Sequence, residues 1–112
     1  MTKDIASDEV IITYKQINHI KERHPNDYER FARLFKDIIA DPDYIIEGNK
    51  PNTAMLLKEI ELDGQKLKLI LRLKTSTDPA EMKNSIVTFQ HIDDKRYLRY
   101  TRNANVLYSK AP

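Results

Sequence analysis

Two histidines in the N-terminal part of the chain could carry out acid–base chemistry. His19 and His24 lie five positions apart, and Arg23 directly precedes the second. Imidazole has an unperturbed pKa near neutrality, so it can both accept and donate protons at physiological pH. An arginine supplies fixed positive charge for a developing anion. The stretch is therefore a candidate for proton transfer, with Arg23 placed to orient an anion beside His19.

A second group of reactive side chains lies further along the chain. Arg72 and Lys74 share one face of an expected strand, and we expect no acidic side chain opposite them. Unpaired cations on a sheet face favour an anionic ligand, although solvated surface cations are the commoner case. A hydroxyl can donate a hydrogen bond to a phosphate. The hydroxyl candidates are Thr75, Ser76, Ser85 and Thr88.

The C-terminal segment is the basic part of the chain. Residues 82–112 contain six Lys or Arg and two Asp or Glu, a net charge of +4. Arg96 and Arg99 alternate there with Tyr97 and Tyr100. Cations interleaved with aromatic rings suit single-stranded nucleic acid. A basic helix whose tyrosines pack inward gives the same pattern without a ligand. Lys50, in a turn segment, is a further candidate for phosphate contact or a solvated lysine.

A hairpin is predicted for residues 53–74. Asp63-Gly64 between two apolar runs is the typical sequence of a two-residue hairpin turn. That turn would fix the register, with Met55 opposite Arg72 and Thr53 opposite Lys74. Leucines at alternate positions would face the core, and the lysines and arginine would lie on an open face.

The sequence of the N-terminal third of the chain predicts two helices. Thr13 is a candidate N-cap for a helix from about Tyr14 to His24, which Pro25 ends. At 100° per residue, His24 lies on the apolar side and His19 on the polar side. We therefore expect one histidine to be structural, and the helix geometry leaves open which. Asn26 would cap the second helix.

Four strands and a basic tail complete the expected fold. Residues 84–92 predict a strand with strict alternation, and residues 93–102 predict a short helix followed by a strand near Val106. The expected class is α+β, with two N-terminal helices packed on a roughly four-stranded antiparallel meander and a short basic C-terminal helix and strand. Residues 1–9 are expected to be a flexible N-terminus and residues 10–112 a single domain.

Composition excludes several classes of protein. The chain has 112 residues, 40% hydrophobic and 32% charged, and no cysteine. It lacks a run long enough to span a membrane and a signal-peptide pattern, so we expect a cytoplasmic protein without a membrane partner. The three histidines are not clustered and there are no thiolates, so the sequence predicts no metal site. It also contains no glycine-rich phosphate-binding loop, so it does not predict a nucleotide cofactor. No metal and no cofactor are therefore expected.

The chain resembles the phage-associated nucleases of the barnase, EndoU, colicin and RelE-like superfamily, from about residue 10 to 110. The resemblance rests on short motifs: His19-Ile20, Arg23-His24-Pro25, residues 42–47, Lys50-Pro51-Asn52-Thr53, residues 69–76, Asn84-Ser85-Ile86 and Lys95-Arg96-Tyr97. It implies a metal-independent ribonuclease that cuts RNA on the open sheet face with a histidine, a basic residue and a Ser or Thr. Unlike barnase, this chain has no glutamate in an obvious strand position to act as the base.

The resemblance also implies partners. Many such proteins act as toxins or as phage or mobile-element effectors, so RNA (tRNA included) is the expected substrate and a cognate inhibitor protein is a candidate partner. On the resemblance both histidines are retained as catalytic candidates. Two alternatives remain: a non-catalytic RNA- or protein-binding module on the same fold, and a structural or regulatory phage protein whose basic tail meets an acidic partner.

Overall fold

The protein is an α+β domain with four α-helices and six strands in the part of the chain that the structure, a computed structural model, describes: residues 10–60, 64–75, 77–79, 83–103 and 105–110. No helix in these ranges is long and apolar enough to cross a membrane. The helices are α1 (Tyr14–Arg23), α2 (Asp27–Phe31), α3 (Phe35–Ala40) and α4 (Asp94–Asn103), with a 3₁₀ turn at Ala32–Leu34. The strands are β1 (Val10–Ile11), β2 (Tyr44–Glu47), β3 (Thr53–Glu59), β4 (Lys66–Arg72), β5 (Asn84–Ile92) and β6 (Val106–Ser109).

The six strands form one mixed sheet in the order β1-β5-β4-β3-β2-β6. The expected α+β class is confirmed, and β2 to β5 form an antiparallel meander. The strand expected near Val106 is β6, but the sheet is not purely antiparallel, because the unexpected strand β1 extends the other edge. The two-residue strand β1 pairs parallel to β5, and β6 pairs antiparallel to β2.

The hairpin between β3 and β4 has a different register from the predicted one. Thr53 lies opposite Arg72, and Glu59 lies opposite Lys66. The Ile60 N–H donates to the Gln65 carbonyl (2.8 Å), so four residues rather than two connect the strands. Asp63 of the predicted turn lies outside the described residues. Because side chains alternate with a period of two, this two-residue offset leaves every side chain on its predicted face.

Helices α1 to α3 cover one face of the sheet, and the packing there forms the main core. The Gln16 N–H donates to the Thr13 hydroxyl (3.1 Å), which confirms the predicted N-cap of α1. The predicted Asn26 cap was wrong, because Asn26 takes a left-handed φ of 74° and its side chain makes no capping bond. The chain from α2 to α3 is helical but interrupted by the 3₁₀ turn. The buried core includes Ile20, Phe31, Phe35, Ile38, Leu56, Leu67, Leu69, Leu71, Ile86 and Phe89.

Helix α4 covers part of the opposite face, which was expected to be open. The Arg96 N–H donates to the Asp93 carboxylate (2.7 Å), which caps the helix. Tyr97 packs inward with Met55 and Leu57, and Leu57 is completely buried. The aromatic positions of the basic segment therefore contribute to a second, smaller core. The part of this face beyond α4 carries the candidate site.

Candidate active site

An irregularity in β5 brings two hydroxyl side chains to the same face of the sheet. Ser85 pairs with Arg72 and Thr88 pairs with Ile70, with Val87 at the shift in register between them. One extra residue in a strand reverses the alternation beyond it. The strict alternation expected from the sequence was therefore wrong. Ser85 and Thr88 both lie on the same face of the sheet as Arg72.

A cavity of about 420 Å³ lies on this face beside the loop between β2 and β3. Its floor is mostly aliphatic, and Arg72 and Lys50 supply cationic groups at its walls. Arg72 is half-buried, whereas Lys50 is exposed. The lining residues are Gly48, Asn49, Lys50, Pro51, Thr53, Met55, Ile70, Arg72 and Val87.

Hydrogen bonds fasten the loop that forms one wall of this cavity. The Thr53 hydroxyl donates to the Lys50 carbonyl (2.6 Å), and the Gly48 N–H donates to the Thr53 carbonyl (2.9 Å). Asn52 takes a left-handed φ of 59°, and its carbonyl accepts the Leu73 N–H (2.7 Å). The loop is thus tied to β4, and Lys50 has a fixed backbone position at the cavity.

We expect Gly48→Ala to destabilise the protein by about 1–3 kcal/mol, the usual cost of overpacking. A Cβ at this position would lie 1.9 Å from the Thr53 hydroxyl oxygen and 2.9 Å from the Thr53 carbonyl oxygen. The backbone oxygen cannot rotate away as a flexible side chain would. Urea denaturation measures the effect, with Asn49→Ala as the neighbouring, exposed control. If Gly48→Ala and the parent chain have equal free energies of unfolding, the loop between β2 and β3 accommodates the added methyl group without strain.

Arg72 forms an ion pair that was not expected. Its Nη2 lies 3.1 Å from Asp78 Oδ1, and its Nη1 lies 3.3 Å from Asp78 Oδ2. The Thr75 N–H donates to Asp78 (2.8 Å), and this bond, followed by the Arg72 guanidinium, holds the pKa of Asp78 below its usual value. Thr53 and Ser85 lie opposite Arg72, so no acid faces it across the strands, but the expectation that Arg72 is an unpaired cation was wrong. The pair is nearly neutral, so Arg72 is a positioned donor group rather than a free positive charge.

The Asp78 N–H donates to the Thr75 carbonyl (3.1 Å), which closes a turn next to Arg72. Thr75 is buried, and its hydroxyl lies 3.0 Å from the Thr77 hydroxyl and 3.3 Å from the Asp78 carboxylate. The Lys74 N–H donates to the Asn84 side-chain oxygen (2.7 Å), which ties this turn to the start of β5. The Thr75 hydroxyl is thus engaged within the protein. Ser76 lies outside the described residues.

His19 lies at a second, smaller cavity of about 330 Å³ next to the first. This cavity is lined by Lys15, Gln16, His19, Val87 and Thr88. Val87 also lines the Arg72 cavity, so the two cavities meet at the register shift of β5. An exposed imidazole from α1 thus stands beside the Thr88 hydroxyl, next to the cavity that contains Arg72.

His24, at the C-terminal end of α1, is in a different environment. Its side chain is half-buried, and its backbone N–H donates to the Ile20 carbonyl, which completes the last turn of the helix. Burial of the ring is the main cause that lowers the pKa of His24, against the opposing effect of the Asp27 carboxylate. The charge of Lys68 lowers it further. The neutral, proton-accepting form of His24 is therefore favoured at pH 7.

We expect the His24 imidazole to titrate below 6.5 in the folded protein, because burial disfavours its charged form. The unfolded chain then binds the proton first as the pH falls through 6.5. His24 therefore makes its full contribution to the free energy of unfolding above pH 6.5. That contribution is lost as the pH falls from 6.5 through the lower pKa of the folded state. Proton NMR titration of the ring and urea unfolding from pH 7.5 to 5 measure both effects. His24→Gln should reduce the pH dependence, and a folded-state pKa at or above 6.5 would contradict this account.

The remaining cationic candidates lie on α1 and α4. Arg23 is exposed in the last turn of α1, and Arg96 is exposed on α4. Arg99 lies over the Tyr100 ring, 5.7 Å from its centroid. Lys68 of β4 lies over the same ring (5.4 Å), with its Nζ 3.5 Å from the Tyr100 hydroxyl. These residues extend the positive surface but do not line the two cavities.

Sequence reasoning missed three charged residues at or near the candidate site: Lys15, Lys68 and Asp78. Lys68 lies opposite Leu57, its Nζ lies 3.5 Å from the Tyr100 hydroxyl, and its charge acts on His24. The period-two spacing of the basic residues on β4 was the available signal for it. Lys15, one turn before His19, follows from helical spacing. Only its position three residues after Thr75 could have indicated that Asp78 contributes to the site.

His91 lies outside this arrangement. Its ring stacks on Phe31 (centroids 6.1 Å apart), on the side of the sheet covered by α1 to α3. Its backbone N–H donates to the Asp27 carboxylate (2.9 Å). Within the described ranges, no group of three or more histidine or acidic side chains is arranged to hold a metal ion.

Among the comparisons with known proteins, the match to a protein family is the informative one. No curated protein and no solved structure gives a significant match to this chain. One family model matches residues 1–109, nearly the whole chain. The chain belongs to that family, the phage-Barnase-EndoU-ColicinE5/D-RelE like nuclease 2 family, PBECR2.

Proposed function

We propose that this nuclease-family protein is a metal-independent endoribonuclease that cleaves RNA through its own 2′-hydroxyl. The observation that carries the proposal is the juxtaposition of His19 and Thr88 with the neighbouring Arg72 cavity, at the register shift of β5. An imidazole, hydroxyls and guanidinium donors on one open face meet the chemical needs of this reaction.

The reaction requires two proton transfers. A base removes the 2′-hydroxyl proton as that oxygen attacks the adjacent phosphorus, and an acid protonates the departing 5′-oxygen. The products are a 2′,3′-cyclic phosphate and a free 5′-hydroxyl. We assign one transfer to His19, because it is exposed at the cavity. His24 is the second imidazole candidate, and its lowered pKa favours the accepting role.

The phosphate needs donors while negative charge develops on its oxygens. Arg72 has N–H groups beyond those that contact Asp78, and its half-buried position keeps them oriented. Ser85 and Thr88, on the same face, can donate through their hydroxyls. Lys50, Arg23, Arg96 and Arg99 are proposed to contact flanking phosphates. Lys74 and Thr75 are assigned to positioning the turn that holds Asp78.

Membership of a phage nuclease family supports a proposal about the wider role. We propose RNA, with tRNA among the candidates, as the substrate in a host cytoplasm, and a toxin-like activity encoded by a phage or mobile element. A cognate inhibitor protein would be expected to cover the open face. A non-catalytic RNA-binding module remains the alternative, since the Arg72–Asp78 pair leaves the site with little free charge at its centre.

The direct test is incubation of the purified protein with tRNA and with total RNA in EDTA. The proposal expects fragments that end in 2′,3′-cyclic phosphate, and no fragments from 2′-O-methyl RNA, which lacks the attacking hydroxyl. Salt-dependent binding without products would support the binding module instead. Cleavage that requires a divalent cation would contradict the metal-independent mechanism.

A further inference from the structure

Strand β6 forms an outer edge of the sheet. It is last in the sheet order, and β2 is its neighbour on the inner side. The Lys110 N–H donates to the Asp43 carbonyl (2.8 Å), toward β2. Because successive residues in a strand direct their backbone groups to opposite sides, the N–H and carbonyl of Ser109 point away from β2. An edge of this kind can accept a further strand through main-chain hydrogen bonds.

The side chains of β6 do not prevent such pairing. Edge strands of natural proteins usually carry charged residues or proline, which block the addition of another strand. The residues Val106–Ser109 include neither. Val106, Leu107 and Tyr108 are 38%, 44% and 44% exposed, and they make up half of the large hydrophobic side chains that are exposed in the described part of the chain. A register shift beside Ile45 increases the local twist of β6, but no described strand pairs with its outer edge.

The surface at the start of β6 is basic. Arg99 and Arg102 are exposed on α4, and two residues connect the end of α4 to the start of β6. Tyr97 of the same helix packs against Tyr44 of β2 (ring centroids 5.9 Å apart), which places α4 over the strand next to β6. The exposed Glu47 at the end of β2 offsets part of the positive charge.

The surface at the end of β6 is acidic. Lys110 directly follows β6, and its ammonium group pairs with Asp41 (2.8 Å). Lys58 lies 3.4 Å from the same carboxylate. Acidic side chains outnumber these two lysines at this corner of the molecule, which we call the acidic corner: Asp37, Asp41 and Asp43.

We infer that β6 pairs antiparallel with β6 of a second copy of this chain, so that the two sheets join across a two-fold axis. Antiparallel pairing places the start of one β6 against the end of the other. Arg102 of each copy then faces the acidic corner of the other, and the uncharged residues of the two strands meet in between. Parallel pairing would instead place like charges together.

The dimer does not depend on the proposed function, although it has a consequence for the candidate active sites. The two-fold axis of an antiparallel strand pair is perpendicular to the joined sheet, and a two-fold contact uses the same surface on both copies. Both candidate active sites therefore open on the same side of the dimer.

Sedimentation equilibrium of the full chain measures the contact. A four-residue edge buries less surface than a standard interface of roughly 1,200–2,000 Å². We therefore expect a weak dimer, with a dissociation constant on the order of 10–100 µM. Leu107→Lys should raise this constant at least about tenfold, because a charge in the middle of each strand meets the same charge in the other. Ile11→Lys is the matched control, since Ile11 is similarly exposed (42%) on the opposite edge strand, and it should change the constant less than about twofold.

A pair of charge reversals tests the direction of the strands. Arg102→Glu should weaken the dimer about three- to tenfold, because it places a glutamate against the acidic corner at two symmetric positions. Lys95→Glu changes the net charge by the same amount in the first turn of α4, and it should change the dissociation constant less than about twofold.

Cross-linking provides a second measurement that does not require a strong dimer. The chain has no cysteine, so Leu107→Cys introduces a single thiol. Leu107 lies near the middle of β6, and paired strands bring opposite Cα atoms within about 4.5–5.5 Å, which permits a disulfide between the copies. Oxidation with copper phenanthroline should link Leu107→Cys at least about tenfold faster than Ile11→Cys.

Four results would each overturn the inference. A parent chain that stays monomeric at about 500 µM would leave the edge to a strand from another protein. Equal effects of Leu107→Lys and Ile11→Lys, or equal cross-linking of the two cysteine variants, would show that β6 is not the contact. Equal effects of Arg102→Glu and Lys95→Glu would contradict the antiparallel arrangement. None of these results would alter the RNA-cleavage test of the proposed function.

Discussion

His19→Ala is expected to lower the rate of RNA cleavage by a factor of about 10²–10⁴, the usual contribution of a positioned acid or base. His19 is the imidazole at the cavity beside Thr88, and the exposed methyl group of alanine can neither accept nor donate a proton. Initial rates on a labelled RNA oligomer in EDTA, at several pH values, measure the loss.

His91→Ala is the matched control for this substitution. Its ring stacks on Phe31 on the side of the sheet that α1 to α3 cover, so its removal should leave cleavage within about threefold of the parent rate. Thermal unfolding of both variants shows whether either has lost the fold. A His19→Ala protein that is folded and nearly as active as the parent would remove His19 from the mechanism and leave His24 as the remaining imidazole candidate.

The sheet faces could be predicted from the sequence, although the pairing of the strands could not. Alternating leucines on β4 fixed which side chains are buried, because burial repeats every two residues. Asp63-Gly64 indicated a turn but not its length, and a four-residue connection moved the register by two. Since that offset is even, Arg72 remained on its predicted face with a different partner.

The register shift in β5 is different, because it changes the face of the sheet on which the following side chains lie. Strict alternation places Ser85 and Thr88 on opposite faces, and one extra residue at Val87 places them together. Val87 follows Ile86, and both are β-branched residues that fit a regular strand equally well. No local signal marks the irregularity, because it depends on how β5 pairs with β4. The sequence therefore supplied the correct hydroxyl candidates without their arrangement.

Long-range partners were the least predictable part of the site. Asp78 lies in a polar segment after β4, and only folding of that turn brings it within 3.1 Å of Arg72. A helix was predicted over residues 93–102, but which part of the sheet α4 covers depends on the packing of Tyr97 with Met55 and Leu57. These contacts are made by tertiary packing, which single-sequence patterns do not encode.

Arg72→Ala is expected to reduce cleavage by about 10²–10³, the loss seen when one positioned donor to a developing oxyanion is removed. Arg72→Lys should not restore the rate, because an ammonium cannot contact both Asp78 and a phosphate through a planar fork. Single-turnover rates at saturating protein separate this loss from weaker RNA binding.

Asp78→Asn distinguishes a direct contact between Arg72 and the phosphate from a purely structural one. If Arg72 acted only by holding the turn after β4, either substitution alone would cost as much as both together. If Arg72 donates to the phosphate, Arg72→Ala should cost more than Asp78→Asn, because the asparagine variant keeps the guanidinium and frees its charge. Unfolding measurements on the parent, the two single variants and the double variant give the coupling energy of the pair for stability. Any coupling in the cleavage rate beyond that value is due to catalysis. Equal losses from both single variants and the double variant would assign Arg72 to the fold alone, and the phosphate donors would then be sought at Ser85 and Thr88.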